Sequence, residues 1–292
     1  LVLYSGNAFN FITGGKGMHF ITSTIKKAIP SFPVWTKSLS KPVSIKANEI
    51  TDADVVYFPT CITRMMGADK EQPKPISEVI QSVCSKAGIK LFIAQNNNGV
   101  CCGQLFSSKG FMPAYTHTVN NTIELLWQRT KQGAIPVLMD VTSCTYSLQH
   151  AEPYLTEENK KRFKALQIID SIDFAADYLL PKLNVRNQKS KIVFHPVCTT
   201  HKMNNLHNLK KIGVHCSQEA VIPFNSGCCG MAGDRGFYYP SLTQAATKPE
   251  ATEVLQNEYD GYYSSGKTCE MSLYDATGKN YQSIFYLLDE CC

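Results

Sequence analysis

Short apolar runs separated by turn residues organise most of the chain. Residues 54–58 are rich in β-branched and aromatic side chains and stop at Pro59, which predicts a buried strand. Ile76, Val79, Ile80 and Val83 recur at helical spacing, predicting a helix over 76–87 that Gly88 stops. Strand patterns follow at 90–94 and 135–141, on either side of a helical pattern over 114–131 that ends at Gly133. Residues 168–180 read as a helix with Ile169, Ile172, Phe174, Ala176, Leu179 and Leu180 on its apolar side, ended by Pro181. The scheme then replays, with strands at 191–194, 219–224 and 261–264 and a helix at 251–258. Ahead of it, residues 1–51 read as an N-terminal arm. The arm has a glycine-rich turn (Gly14-Gly15-Lys16-Gly17) and a short helical pattern, and Pro30, Pro33 and Pro42 break regular structure. Strands alternating with helices imply parallel sheets covered on both faces. The expected fold class is α/β, with two duplicated small units at 52–181 and 182–292.

The cysteines carry the same duplication. Val-Val-Tyr-Phe-Pro-Thr-Cys61 is echoed by Ile-Val-Phe-His-Pro-Val-Cys198. Each is followed by a glycine-flanked vicinal pair, Gly99-Val100-Cys101-Cys102-Gly103 and Gly227-Cys228-Cys229-Gly230, and then by a lone cysteine, Cys144 and Cys269. The offsets between the halves are 137, 127 and 125 residues (198 less 61, 228 less 101, 269 less 144), and eight of the twelve cysteines belong to the pattern. Every one of these positions follows a predicted strand, so the thiols belong at the carboxyl ends of the strands. That is the edge where open α/β sheets bind ligands. Helices starting there direct their positive ends at thiolates, and the adjoining glycines permit close backbone approach to an inorganic core. Four thiolates per half, Cys61, Cys101, Cys102 and Cys144, then Cys198, Cys228, Cys229 and Cys269, suffice for an iron–sulfur cluster such as [4Fe–4S] or for a four-cysteine zinc site. Thiol–disulfide chemistry at the vicinal pairs and a metal-free docking module are the other classes the pattern allows.

Composition narrows the setting. A chain of 292 residues with 43% hydrophobic and 18% charged positions is ordinary for a globular protein. It is also too long to need disulfide staples, and vicinal cysteines are poorly placed to bond to each other. A reducing, cytoplasmic compartment is expected. The net charge of +5 is spread over short runs such as Lys160-Lys161-Arg162, which read as solvated surface, so no nucleic-acid partner is expected. No apolar run approaches the roughly 18 residues of a membrane span. The chain opens on Leu1 rather than Met, which suggests a piece of a longer protein or a processed chain.

Other residues have a plain reading beside a functional one. His195 and His201 bracket Cys198 and could be hydrogen-bond donors or substitute ligands; the plain expectation is partly exposed histidines without a role. Cys84 and Cys216 read as small buried or surface thiols, and Cys291-Cys292 as a frayed tail. Residues 261–268 (Gly-Tyr-Tyr-Ser-Ser-Gly-Lys-Thr) fit the P-loop pattern. A phosphate loop must follow a strand and open a helix, whereas residues 251–260 read as helix, so this match is rejected.

The repeated C…CCG…C order resembles the cysteine-rich CCG domain. That domain occurs in the B subunit of heterodisulfide reductase, the C subunit of anaerobic glycerol-3-phosphate dehydrogenase, and the C-terminal part of FAD-linked D-lactate dehydrogenases and glycolate-oxidase-like enzymes. The similarity covers about residues 52–292. It is closer to the D-lactate dehydrogenase-like group through Phe32-Pro33-Val34-Trp35, Leu166-Gln167-Ile168-Ile169-Asp170-Ser171 and the ending Lys267-Thr268-Cys269-Glu270-Met271 with Tyr281-Gln282-Ser283-Ile284. The resemblance implies an iron–sulfur electron-transfer portion of a larger flavin-dependent oxidoreductase of D-lactate or a related 2-hydroxy acid. By itself the fragment would not be catalytic. FAD would belong to a part N-terminal to this chain. The implied partners are the flavin and ferredoxin-type domains of the parent chain and an electron acceptor at the inner face of the membrane. Family members with unusual clusters end the motif in C-x-x-C, supplying five cysteines; here Ser147 and Ser272 stand at the fifth position. The resemblance therefore leaves four thiolates per half.

Overall fold

Among the described residues, eight short strands form two four-stranded, all-parallel sheets. The computed structural model describes residues 2–13, 16–48, 52–68, 71–93 and 99–292. The first sheet contains β1 (Val55–Phe58), β2 (Leu91–Ile93), β3 (Val137–Met139) and β4 (Ile168–Asp170), in the order β2-β1-β3-β4. The second contains β5 (Lys189–His195), β6 (Ser217–Val221), β7 (Gly261–Ser264) and β8 (Tyr281–Ser283), in the equivalent order β6-β5-β7-β8. Every side chain of β1 and β3 is buried, as in a sheet covered on both faces. The expected α/β class with duplicated parallel units is therefore what the chain forms. The Gly14-Gly15 turn, the end of the expected strand at Ala94 and the arm boundary at residue 51 lie outside the described residues. Among the described residues, no helix is long and apolar enough to cross a membrane.

Several elements depart from the sequence expectation. Residues 168–170 are strand, and the helix begins only at Ser171, where the Asp170 carboxylate accepts the N–H of Ile172 at 3.0 Å. The helical turn continues as a wider π turn over Ala175–Leu179. The expected helix at 251–258 is instead the end of a longer one, Pro240–Val254, whose internal Pro249 blurs its pattern. The expected strand at 219–224 is shifted back to β6. Strand β8 and the helices Leu206–Cys216, Lys267–Thr277 and Ile284–Cys291 have no counterpart among the expected elements.

The two sheets share one core. Val55, Tyr57, Ile80 and Val83 from the first half, and Ile192, Phe194, Leu209 and Ile212 from the second, belong to a single buried cluster. Its cover is exchanged between the halves. The helix after β8, Ile284–Cys291, packs on the first half's Ile76–Lys86, while the helix after β4 packs on the second half's Leu206–Cys216. Polar contacts pin the first of these pairs, with Asp289 accepting from Ser82 Oγ and Lys86 Nζ at 2.7 Å each. The arm crosses both halves. Ser38 Oγ donates to Asp275 at 2.7 Å, and Asn48 pairs with the backbone of Leu91 and Ile93 at the edge of the first sheet.

Phe285 is fully buried in the shared core. Phe285→Ala is expected to cost roughly 3–5 kcal/mol. Because the cover is reciprocal, chemical denaturation should show both halves losing structure in one transition. Asp170 is buried at the seam, accepting also from Thr142 Oγ1 at 3.2 Å and Asn205 Nδ2 at 3.1 Å, and burial pushes its carboxyl up to about 6. A folded value above the unfolded one means that ionisation weakens the fold as pH rises from about 4 through about 6. Asp170→Asn keeps an acceptor oxygen and removes that loss. Its stability relative to the parent should therefore be greater at pH 7 than at pH 4, as read from urea denaturation at the two values.

Candidate metal centres

All eight repeat cysteines lie beyond the carboxyl ends of the strands. Cys61 and Cys198 are the first residues of the helices Cys61–Met66 and Cys198–Lys202, which follow β1 and β5. Cys144 and Cys269 sit in the first turns of Thr142–Gln149 and Lys267–Thr277, after β3 and β7. The vicinal pairs occupy the loops that follow β2 and β6. Three strand ends thus deliver four thiols in each half.

The thiols meet in equivalent pairs: Cys61 with Cys101 and Cys102 with Cys144, then Cys198 with Cys228 and Cys229 with Cys269. The Cys269 thiol donates to Cys229 Sγ at 3.1 Å. Among the described residues, no three His, Cys, Asp or Glu side chains converge closely enough to hold a single metal ion. The outer thiols of the second half, Cys198 and Cys228, are exposed, while Cys229 and Cys269 are buried.

Protons divide unequally within the pairs. Cys101 is drawn down to about 6 by the hydrogen bond from Cys61, helped by the Gly103 N–H at 3.3 Å and by Arg64. Cys228 is drawn down to about 5 by Cys198, helped by the Gly230 N–H at 3.4 Å, His195 and Lys202. The donors Cys61 and Cys198 are pushed up by those same bonds and by burial. Cys144 and Cys269, which donate to Cys102 and Cys229, are pushed up likewise.

The glycine after each pair is needed for its conformation. Gly103 and Gly230 have φ of +74° and +76°, and a Cβ there would meet Tyr115 at 2.5 Å or the Leu242 carbonyl at 2.9 Å. Residues 55–149 and 192–274, together more than half of the chain, match the CCG family, described as a cysteine-rich domain. The chain belongs to the CCG cysteine-rich domain family. It is 25% identical over 183 residues to the C subunit of the anaerobic glycerol-3-phosphate dehydrogenase of Escherichia coli strain K12, and equally to that of Escherichia coli O157:H7. The match covers 59% of this chain and 44% of each relative, so the chain spans less than half the length of the curated relatives it matches.

Within this CCG chain the two serines at the fifth position have a definite task. Ser147 Oγ donates to the carbonyl of Cys102 at 3.1 Å, and Ser272 Oγ to that of Cys229 at 2.8 Å. Each hydroxyl thus fixes the backbone of the inner vicinal cysteine. The two sets also face each other. The helix Cys198–Lys202 packs on Thr142–Gln149, and Lys267–Thr277 packs on Cys61–Met66. Lys109 and Asp234, which follow the two vicinal pairs, form an ion pair of 2.6 Å across the seam.

The remaining candidates divide. His201 is exposed on its helix, whereas His195 is 1% exposed and not the partly exposed residue expected. Its Nδ1 lies 2.8 Å from an oxygen of buried Glu250, a partner 55 residues away that no local pattern could reveal. Cys84 is buried, as expected, and its thiol is pushed up to about 12 by burial. Cys291 is not a frayed end. It is fully buried, 3.4 Å from the carbonyl of Cys216, because it forms the last turn of the helix that covers the first half. The P-loop match fails for a reason other than the expected helix. Its first four residues are strand β7, only Ser265-Gly266 connects to the next helix, and Lys267 pairs with Glu270 at 3.0 Å. A cleft of about 830 Å³ opens between the arm and Pro240–Val254, lined by residues including Lys16, His19, Thr247 and Asp275 rather than by the thiols.

In metal-free protein the exposed, acidic Cys228 should be alkylated by iodoacetamide first, at least roughly tenfold faster than Cys84 at pH 7. Its rate should fall as pH drops through about 5, where the thiolate is lost, with peptide mass spectrometry as the readout.

Proposed function

We propose that each half binds an iron–sulfur cluster through its four repeat cysteines, and that the chain carries electrons for a larger flavin-dependent oxidoreductase. One set is Cys61, Cys101, Cys102 and Cys144; the other is Cys198, Cys228, Cys229 and Cys269. The observation that carries the reading is the equivalence of the two sets. Each has four thiols in two contacting pairs, gathered at the carboxyl edge of a parallel sheet with backbone N–H groups turned toward sulfur. Bound there, such a cluster takes up and returns single electrons. The chain's residues do the rest. The glycines let the backbone approach, and Ser147 and Ser272 hold the inner cysteines in place. Arg64 and Lys202 offset the negative charge of the thiolates.

A single zinc ion requires four ligands converging at about 2.3 Å from sulfur. Separate thiol pairs, with no three donors grouped for one ion among the described residues, favour a larger inorganic core. The parent reaction follows from resemblance. D-lactate or a related 2-hydroxy acid is the proposed electron source, the matched relatives being subunits of a dehydrogenase of another small hydroxylated compound. The flavin-bearing part of the parent enzyme would supply electrons, and a membrane-associated acceptor would receive them.

Chain purified without oxygen should be brown and contain iron and acid-labile sulfide. Cys102→Ser or Cys229→Ser should each lower the iron content by about half, the loss of one cluster of two, and Cys84→Ser should leave it unchanged. Zinc in place of iron, or equal loss in all three variants, would overturn the assignment.

A further inference from the structure

The two centres have equivalent thiols but differ at the last residue of the central strand. Strands β1 and β5 each end three residues before the first cysteine, on Phe58 in one half and on His195 in the other, both 1% exposed. The imidazole is held in place. Its Nδ1 lies 2.9 and 2.8 Å from the two oxygens of Glu250, itself 2% exposed, on the helix Pro240–Val254. Its backbone carbonyl accepts from Ser264 Oγ at 3.1 Å. The other ring nitrogen, Nε2, is buried and finds no hydrogen-bond partner among the described residues.

Buried polar atoms are nearly always paired, so an empty one calls for a missing partner. A carboxylate on one imidazole nitrogen is also the usual way of aiming the other at a metal. His195 ends β5 at the carboxyl edge of the second sheet, in register with Ser264 of β7, and Cys198 and Cys269 stand in the first turns of the helices just beyond those two strand ends.

We propose that Nε2 of His195 directly contacts the metal group held by Cys198, Cys228, Cys229 and Cys269, giving the second centre a nitrogen contact that the first, with Phe58, lacks. This rests on the iron–sulfur reading above. Nitrogen contacts and hydrogen bonds raise the reduction potential of such centres. The second centre is therefore the easier to reduce, and electrons run from the first half to the second.

The test uses the whole chain, purified without oxygen and reduced, with and without 15N-labelled histidine. Pulsed electron paramagnetic resonance should detect histidine nitrogen coupled to one of two centres, and a redox titration should resolve two midpoint potentials. His195→Phe, which copies the first half, should abolish the coupling and lower the higher potential alone. That variant leaves Glu250 buried without its partner, so Glu250→Gln is measured beside it. Glu250→Gln keeps the packing, and it should retain the coupling while shifting the same potential. Absence of histidine coupling in the parent, or coupling and potentials unchanged in His195→Phe, would overturn the proposal. Colourless chain without iron would overturn the iron–sulfur reading instead.

Discussion

A parallel sheet exposes apolar side chains on both faces and must have both covered. Strands of three or four residues, such as β2, β3 and β8, carry too little of their own to manage this within one half. Here each half takes part of its cover from the other, through Ile284–Cys291 on one side and the helix after β4 on its counterpart. The shared cluster around Tyr57, Phe174, Phe194 and Phe285 results from that exchange. It fixes the two sheets relative to one another, and so determines where their carboxyl ends and the cysteines beyond them can lie.

On that frame, most of the site is made twice. The vicinal pair, its left-handed glycine and the serine on the inner carbonyl all recur, and each first helix carries a cation, Arg64 in one half and Lys202 in the other. The differences are few: Phe58 in one half answers to His195 in the other, and the second half leaves its outer thiols more open than the first does. Symmetry sets the four thiols of each half alike, and these departures are where the two sites part.

How much of this is legible in the sequence depends on how local the signal is. Strands β1, β5 and β7 are readable because Val, Ile, Phe and Tyr crowd into short runs bounded by Pro or Gly. The sequence pattern also locates every repeat cysteine beyond a strand. Strand β4 is hidden because its three residues run straight into a helix whose apolar spacing absorbs them, and β8 because Tyr-Gln-Ser has no strand-like pattern. Cys291 reads as a tail because nothing local shows that its helix is the cover of the other half. Glu250 cannot be foreseen beneath His195, since the contact is made by folding across 55 residues. The serines stand out in the sequence for the sulfur they lack, yet the carbonyls they hold are visible only in three dimensions.

The reciprocal helices also have a meaning for the architecture as a whole. Each half contributes the same patch and receives the same patch, so residues of one unit meet their own equivalents' neighbours in the other. That is the rule of an isologous interface, the arrangement found in twofold homodimers. This chain is in effect such a dimer with its two subunits joined end to end by the short stretch between Leu179 and Lys189. Joining them removes any dependence on concentration. It also frees each copy to change alone, which two identical subunits encoded once can never do.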